Sequence, residues 1–215
     1  MKTSFSQHGP RAMTFLDVAL ALATVALLAV VLLPMLGRPR RSPRINCTSN
    51  LKQIGLAFRM WSNDHNDQMP MRVSTNQGGT MESIPTGEVW RHFDSLSNEL
   101  SAPRILTCAS DPGRTSVTSF AEFAPANLSY FVGLDADESK MPMLLSGDRT
   151  LTHGLPPQNH ILRATGPNTF GWTKAIHQDA GNLGLADGSV FQADIRGLQR
   201  QLADASNATN RLALP

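Results

Sequence analysis

From Val18 to Leu36 the chain runs nineteen residues without a charge (VALALATVALLAVVLLPML), with Asp17 at its leading edge. No other stretch limits the architecture as much. At 1.5 Å rise per residue the run makes a helix of roughly 28 Å, about one hydrocarbon thickness. An acid at the entrance of such a helix is expensive in lipid and needs a reason. The sequence therefore predicts a single-span anchor over 13–36, followed by one ordinary globular domain. The residues beyond the anchor and its basic flank are enough for one well-buried core.

The overall charge of +2 hides an uneven layout. Lys2 and Arg11 precede the apolar run, and Arg38, Arg40, Arg41 and Arg44 follow it. From Ile45 onward there are 13 Lys and Arg against 16 Asp and Glu, a net of −3. The basic character comes from the flanks of the run, so the globular part offers no nucleic-acid surface. The four arginines are expected at lipid headgroups. A cleaved secretory signal fits poorly, because the run is long and Gly37-Arg-Pro-Arg-Arg41 is not a small-residue cleavage site. Counting positive charges alone would place the C-terminal domain in the cytoplasm.

Downstream, Cys47, Leu51, Ile54, Phe58 and Trp61 recur at spacings of 4, 3, 4 and 3. That stripe predicts an amphipathic helix from Ile45 to about Asp64, packed on a sheet. Gly37, Pro39 and Pro43 predict a break between it and the apolar helix, a basic Pro-rich hinge over 37–44. The helical period stops at His65-Asn-Asp-Gln-Met-Pro70. Asp64, Asn66 and Gln68 lack the glycine and glutamate of a calcium loop, so this is a solvated turn. Val89, Phe93, Leu96 and Leu100 predict a second short helix over 88–100, with Trp90 and His92 as surface or packing residues.

The remainder reads as short strands. Residues 128–133 and 142–147 flank the acidic turn at Asp135–Glu138 and are expected to pair. Residues 182–186 and 189–192 flank Asp187-Gly188, a strong hairpin signal in which both turn positions take positive φ. Residues 153–160 and Gly166-Pro167 read as loops, and the ending from Leu198 as a short helix with a frayed tail.

Candidate chemical groups are few. His177, Asp148, Asp187 and His153 are the possible metal or acid–base residues, but no H-E-x-x-H, paired-carboxylate or G-x-S-x-G pattern accompanies them. His177 is expected to hydrogen-bond the hairpin backbone, and Asp111, before Pro112, to shape a turn. Cys47 and Cys108 have two readings. In an oxidising compartment they form a disulfide; otherwise they are two buried free thiols.

Arg11-Ala-Met-Thr-Phe-Leu-Asp17-Val18 resembles the start of type IV prepilins and type II secretion pseudopilins, with Ala12 for the usual Gly, Met13 for Phe and Asp17 for Glu. The resemblance implies a leader peptide over 1–12, cleavage after Ala12, and a methylated new N-terminus on Met13. It gives Asp17 an assembly role, neutralising a neighbouring subunit's amine, against the plainer reading of an acid favoured near a helix N-terminus. It assigns Pro34 to a helix kink. Cys47-Thr-Ser-Asn50-Leu-Lys-Gln-Ile-Gly55 is similar to the C-x-x-N-L-K-Q-I-G segment of pilin-like proteins that carry a C-terminal H-x9-D-G signature. His177, Asp187 and Gly188 fit that signature, and Cys108-Ala-Ser-Asp-Pro112 resembles their C-P-S-D segment.

The fold expected is α+β and pilin-like: a long N-terminal helix, half membrane-spanning and half amphipathic, packed on a small antiparallel sheet head over 45–215. The function expected is that of a pseudopilin-like structural subunit, processed by a prepilin peptidase and assembled into a pilus or secretion pseudopilus. It is not expected to be an enzyme, and no cofactor or metal is expected. Partners would be the peptidase, other pilin or pseudopilin subunits, an inner-membrane assembly platform and the lipid bilayer. The expected location is the inner membrane, single-pass, with the N-terminus cytoplasmic and the head periplasmic. The alternative is a tethered extracytoplasmic glycan-binding module using Trp90, Tyr130 and Trp172. A tethered metal-dependent hydrolase has the least support.

Overall fold

Thr14 and Asp17 begin the first helix by capping each other. The Thr14 backbone N–H and hydroxyl donate to Asp17 Oδ2 at 2.9 and 2.8 Å, and the Asp17 N–H donates to Thr14 Oγ1 at 3.4 Å. This is a capping box with aspartate at its third position, and the acid also suits the positive end of the helix dipole. Helix α1 then runs Phe15–Leu36. The computed structural model describes residues 14–36, 43–140, 143–154, 156–163, 170–204 and 211–215. Side chains of α1 are described to Val30. Ala12, Met13, the side chain of Pro34 and hinge residues 37–42 lie outside what is described. The chain divides into two units, Met1–Arg40 and Arg41–Pro215.

The expected single-pass inner-membrane location is corrected. Among the described residues no helix is long and apolar enough to cross a membrane. Over the residues described with their side chains, Phe15–Val30, α1 does not meet that requirement. It also carries Asp17 in its first turn.

In the second unit, helix α2 (Pro43–Asn63) follows the apolar stripe. Pro43 and Arg44, expected in the hinge, already form its first turn, where proline is tolerated because no N–H is needed. Cys47, Leu51, Ile54, Phe58 and Trp61 are all buried, while Lys52, Arg59 and Asn63 face out. The helix ends at Asn63, and in the turn that follows Asn66 and Asp67 are left-handed at φ 55° and 57°.

The second helix expected over 88–100 is shorter. After α3 (Ser83–Thr86) only α4 (Arg91–Asp94) is helical. Ser95, Ser97 and Asn98 are weak helix formers, and the chain continues in tight turns such as Leu96 N–H to Phe93 O and Ser97 N–H to Asp94 O. Val89, Phe93, Leu96 and Leu100 are nonetheless all buried.

The fold is mixed α+β with a six-stranded antiparallel sheet. Its strands are β1 (Tyr130–Gly133), β2 (Leu144–Asp148), β4 (Ile161–Arg163), β6 (Ala180–Leu185), β7 (Val190–Asp194) and β8 (Arg211–Ala213). Their order is β4-β8-β1-β2-β6-β7. β3 (Leu151–His153) and β5 (Phe170–Trp172) make a separate pair. Helix α2 packs on one face of the sheet, against β2, β6 and β7. The other face carries α5 (Ile195–Asp204) and the β3–β5 pair, through Phe131, Leu183, Trp172, Leu198, Leu202 and Leu212. Both faces are covered, so central strands β1 and β2 are buried at every position. Gly181 backs onto the Trp172 ring, where an added Cβ would lie 2.5 Å from it.

The expected β1–β2 pairing is present, with Tyr130 opposite Asp148. The β6–β7 hairpin is also present, but only Gly188 has positive φ, at 85°. Gly188 N–H donates to Leu185 O and Leu185 N–H to Ser189 O, a turn closed by one left-handed glycine. The tail expected to fray instead forms β8, inserted between β4 and β1, with Leu212 0% exposed. Its short apolar alternation becomes legible as a strand only once two partners flank it.

Candidate functional site

The first two turns of α2 present Arg44, Cys47 and Thr48 on one side, at helical spacing. Against them lie the loop carrying Cys108, the turn carrying His177, the end of β2 with Asp148, and Asn182 on β6. Cys47 and Cys108 form a disulfide, their Cα atoms 5.2 Å apart. His177 Nε2 lies 3.6 Å from Cys108 Sγ and 3.5 Å from Asp148 Oδ2. The Asn182 N–H and Nδ2 both donate to that same Oδ2, at 2.7 and 2.9 Å. Thr48 Oγ1 donates to Asn182 Oδ1 at 3.0 Å, and the Arg44 guanidinium donates to the His177 carbonyl. Asp148 Oδ1 is buried and has no hydrogen-bond partner among the described residues.

Burial dominates the electrostatics here. Desolvation, aided by the Arg44 charge, pushes His177 down to about 4. Desolvation pushes Asp148 up to about 7, with the Asn182 hydrogen bonds and Arg44 opposing it. Between those values the two side chains face each other uncharged, so the contact is a neutral buried pair rather than an ion pair.

The remaining predicted residues fall around this cluster or apart from it. Asn50 Nδ2 donates to Thr107 O at 3.3 Å and Tyr130 Oη at 3.4 Å, tying α2 to the loop before Cys108 and to β1. Asp187 caps its own turn, accepting from Ser189 N–H and Oγ at 2.8 and 2.7 Å. Arg59 on α2 donates to the Asp187 carbonyl at 3.3 Å. His177 and Asp187-Gly188 therefore act in different places: the histidine does not hold the hairpin but looks into the polar cluster. Asp111 shapes its turn by accepting from Gly113 N–H at 3.0 Å, and it also takes a two-pronged contact from Arg149 at 2.7 and 2.8 Å. Tyr130 and Trp172 are buried, so they form no surface platform. His92, also buried, contacts Thr80 Oγ1 at 2.6 Å.

Sequence reasoning missed Asn182, Thr48 and the inward role of Arg44. One signal was available: Arg44 and Thr48 flank the buried Cys47 at −3 and +1, so both border the stripe that packs inward. A cleft of about 690 Å³ is lined by Met71, Arg72, Met81, Asp135 and Arg211 among others and shares no residue with this cluster. Its arginines are engaged, Arg72 by Asp137 and Arg211 by Asp135. No protein-family profile, curated protein or solved structure matches this chain.

Proposed function

We propose that the chain is a pseudopilin-like structural subunit. A prepilin peptidase removes residues 1–12, and the processed chains assemble through α1 into a pilus or secretion pseudopilus with a pilin-like head. One observation carries the reading. Phe15 (90% exposed), Leu16, Leu20, Leu22, Val25, Leu27 and Val30 (70% exposed) present large apolar side chains along α1. A helix apolar all round is stable only inside a larger apolar assembly. Each large side chain buried against a neighbouring copy contributes roughly 1.5–3 kcal/mol, and Ala19, Ala21, Ala23 and Ala26 allow close approach. Asp17 then serves twice, capping its own helix and neutralising the amine of the next subunit. Other subunits, the peptidase and an assembly platform are the partners, and no catalytic step is assigned.

The test is intact-mass and N-terminal analysis of the full chain co-expressed with a prepilin peptidase. A peptidase-dependent product beginning at methylated Met13 supports the reading. A chain still beginning at Met1 in the presence of an active peptidase rejects it.

A further inference from the structure

A disulfide that only staples a loop needs no ionisable neighbours, yet this one is surrounded by them. His177 and Asp148 are both buried beside it, and burying such groups is costly unless something offsets it. Cys47, Cys108 and His177 offer ligand atoms that all lie within 4.8 Å of one another. Zinc bonds of about 2.3 Å to sulfur and about 2.0–2.2 Å to nitrogen and oxygen give tetrahedral edges of roughly 3.6 Å for S···N and roughly 3.4 Å for N···O. The observed edges are 3.6 Å from Cys108 Sγ to His177 Nε2 and 3.5 Å from His177 Nε2 to Asp148 Oδ2.

We infer that reduction of the Cys47–Cys108 disulfide converts this cluster into a tetrahedral site for zinc or a similar divalent ion, with Cys47 Sγ, Cys108 Sγ, His177 Nε2 and an Asp148 carboxylate oxygen as ligands. A dithiol reductant supplies the two electrons and two protons that turn the disulfide into two thiols, and is itself oxidised to a disulfide. The S–S edge then widens to roughly 3.8 Å about the metal, and the Asp148 carboxylate, which stands outside the 4.8 Å group of the two sulfurs and His177, moves toward the sulfurs to complete the four. Metal entry releases both thiol protons, and any carboxyl proton on Asp148, to solvent. Two thiolates and one carboxylate around a divalent cation leave one net negative charge. Arg44, held on the His177 carbonyl, supplies the positive charge beside it. Asp148 Oδ2, the oxygen that already faces His177 Nε2, is the ligand atom, and the two Asn182 hydrogen bonds to it orient it, as partners around metal ligands do. The site stands whatever the role of α1.

The experiment uses the full chain, unfolded in guanidinium with a reductant and refolded with cobalt(II) as a spectroscopic probe, beside an oxidised sample treated identically. The expected result is one cobalt per reduced chain, with sulfur-to-cobalt charge-transfer absorption and the intense visible bands of a tetrahedral site. The oxidised chain should show neither. Zinc should displace the cobalt and shield both cysteines from alkylation. H177A should abolish the bands and D148N should weaken binding at least tenfold, with circular dichroism of their oxidised forms reporting that each still folds. Failure of the reduced wild-type chain to bind cobalt, equal alkylation with and without zinc, or undiminished binding in either variant overturns the assignment.

Discussion

His177 Nε2 faces Asp148 Oδ2 across 3.5 Å, and neither side chain is charged near pH 5 to 6. The pair joins a turn to the end of a central strand, and its effects on stability should largely cancel. In the unfolded chain His177 takes a proton below 6.5, but in the fold only near 4. Its contribution is therefore present above 6.5 and lost as pH falls. Asp148 gives up its proton above 3.8 when unfolded and near 7 when folded, so its contribution is present below 3.8 and lost as pH rises. In the shared window the folded and unfolded chains bind nearly equal numbers of protons through this pair.

Substitution should therefore unmask the partner. Relative to wild type, D148N should gain stability as pH rises from 4 to 6.5, and H177N should lose it as pH rises from 4 to 7. Each slope should reach at most about 1.4 kcal/mol per pH unit. His92, likewise pushed down to about 4 by burial, is common to all three proteins and cancels in the difference. Urea denaturation across this range provides the check. Parallel profiles for the three chains would show that the pair does not titrate in this way.

The Cys47–Cys108 bridge spans a sequence separation of 61. The chain-entropy model gives such a loop about 4 kcal/mol. C108S in metal-free buffer should lower unfolding stability by about that much, measured by urea denaturation. A loss under 1 kcal/mol would mean that packing around the bridge, rather than the bridge, holds α2 to the loop.

Asp111 and Arg149 form a two-pronged charged contact, two hydrogen bonds of 2.7 and 2.8 Å to a fully buried carboxylate. Burial tends to raise the carboxyl, but Arg149, Ser129 and the Gly113 N–H together outweigh it and hold the group below the ordinary carboxylate range. R149M should cost about 3 kcal/mol, because it leaves a buried charge unpaired. D111N should cost less. The Asp111 contribution is present above the ordinary carboxyl value and lost as pH falls below it, so D111N should flatten acid unfolding while R149M should not protect against it.

Asp17 separates capping from assembly. D17E keeps the capping box and should keep both helix and self-association, read by cross-linking of chains processed by the prepilin peptidase. D17A should lose association. If D17A chains cross-link as well as wild type, the acid is a cap and nothing more.

Leu212 tests the strand contributed by the chain's end. It is fully buried in a strand flanked by β4 and β1. L212A should cost roughly 2–5 kcal/mol by calorimetry or denaturant unfolding. A free tail would tolerate the change without measurable loss.

Local patterns were enough for part of this molecule. The uncharged run from Val18 and the Cys47–Trp61 stripe each carry their period within a single helix, so helix, buried face and stop near Asp64 could be read from neighbouring residues. The Asp187-Gly188 hairpin was legible for the same reason, although not its turn type, since only Gly188 had to be left-handed. Tertiary structure alone decided the rest. Arg211–Ala213 became a strand because β4 and β1 offered backbone partners from distant parts of the chain. Residues 88–100 kept their buried apolar positions but lost most of their helix, because turns satisfied the same packing. The polar cluster was hidden for a related reason: Arg44 and Cys47 share a helix turn, but no local spacing links them to Cys108, Asp148, His177 and Asn182. Only the packing of α2 across β2 and β6 removes water from all of them together and sets their charges.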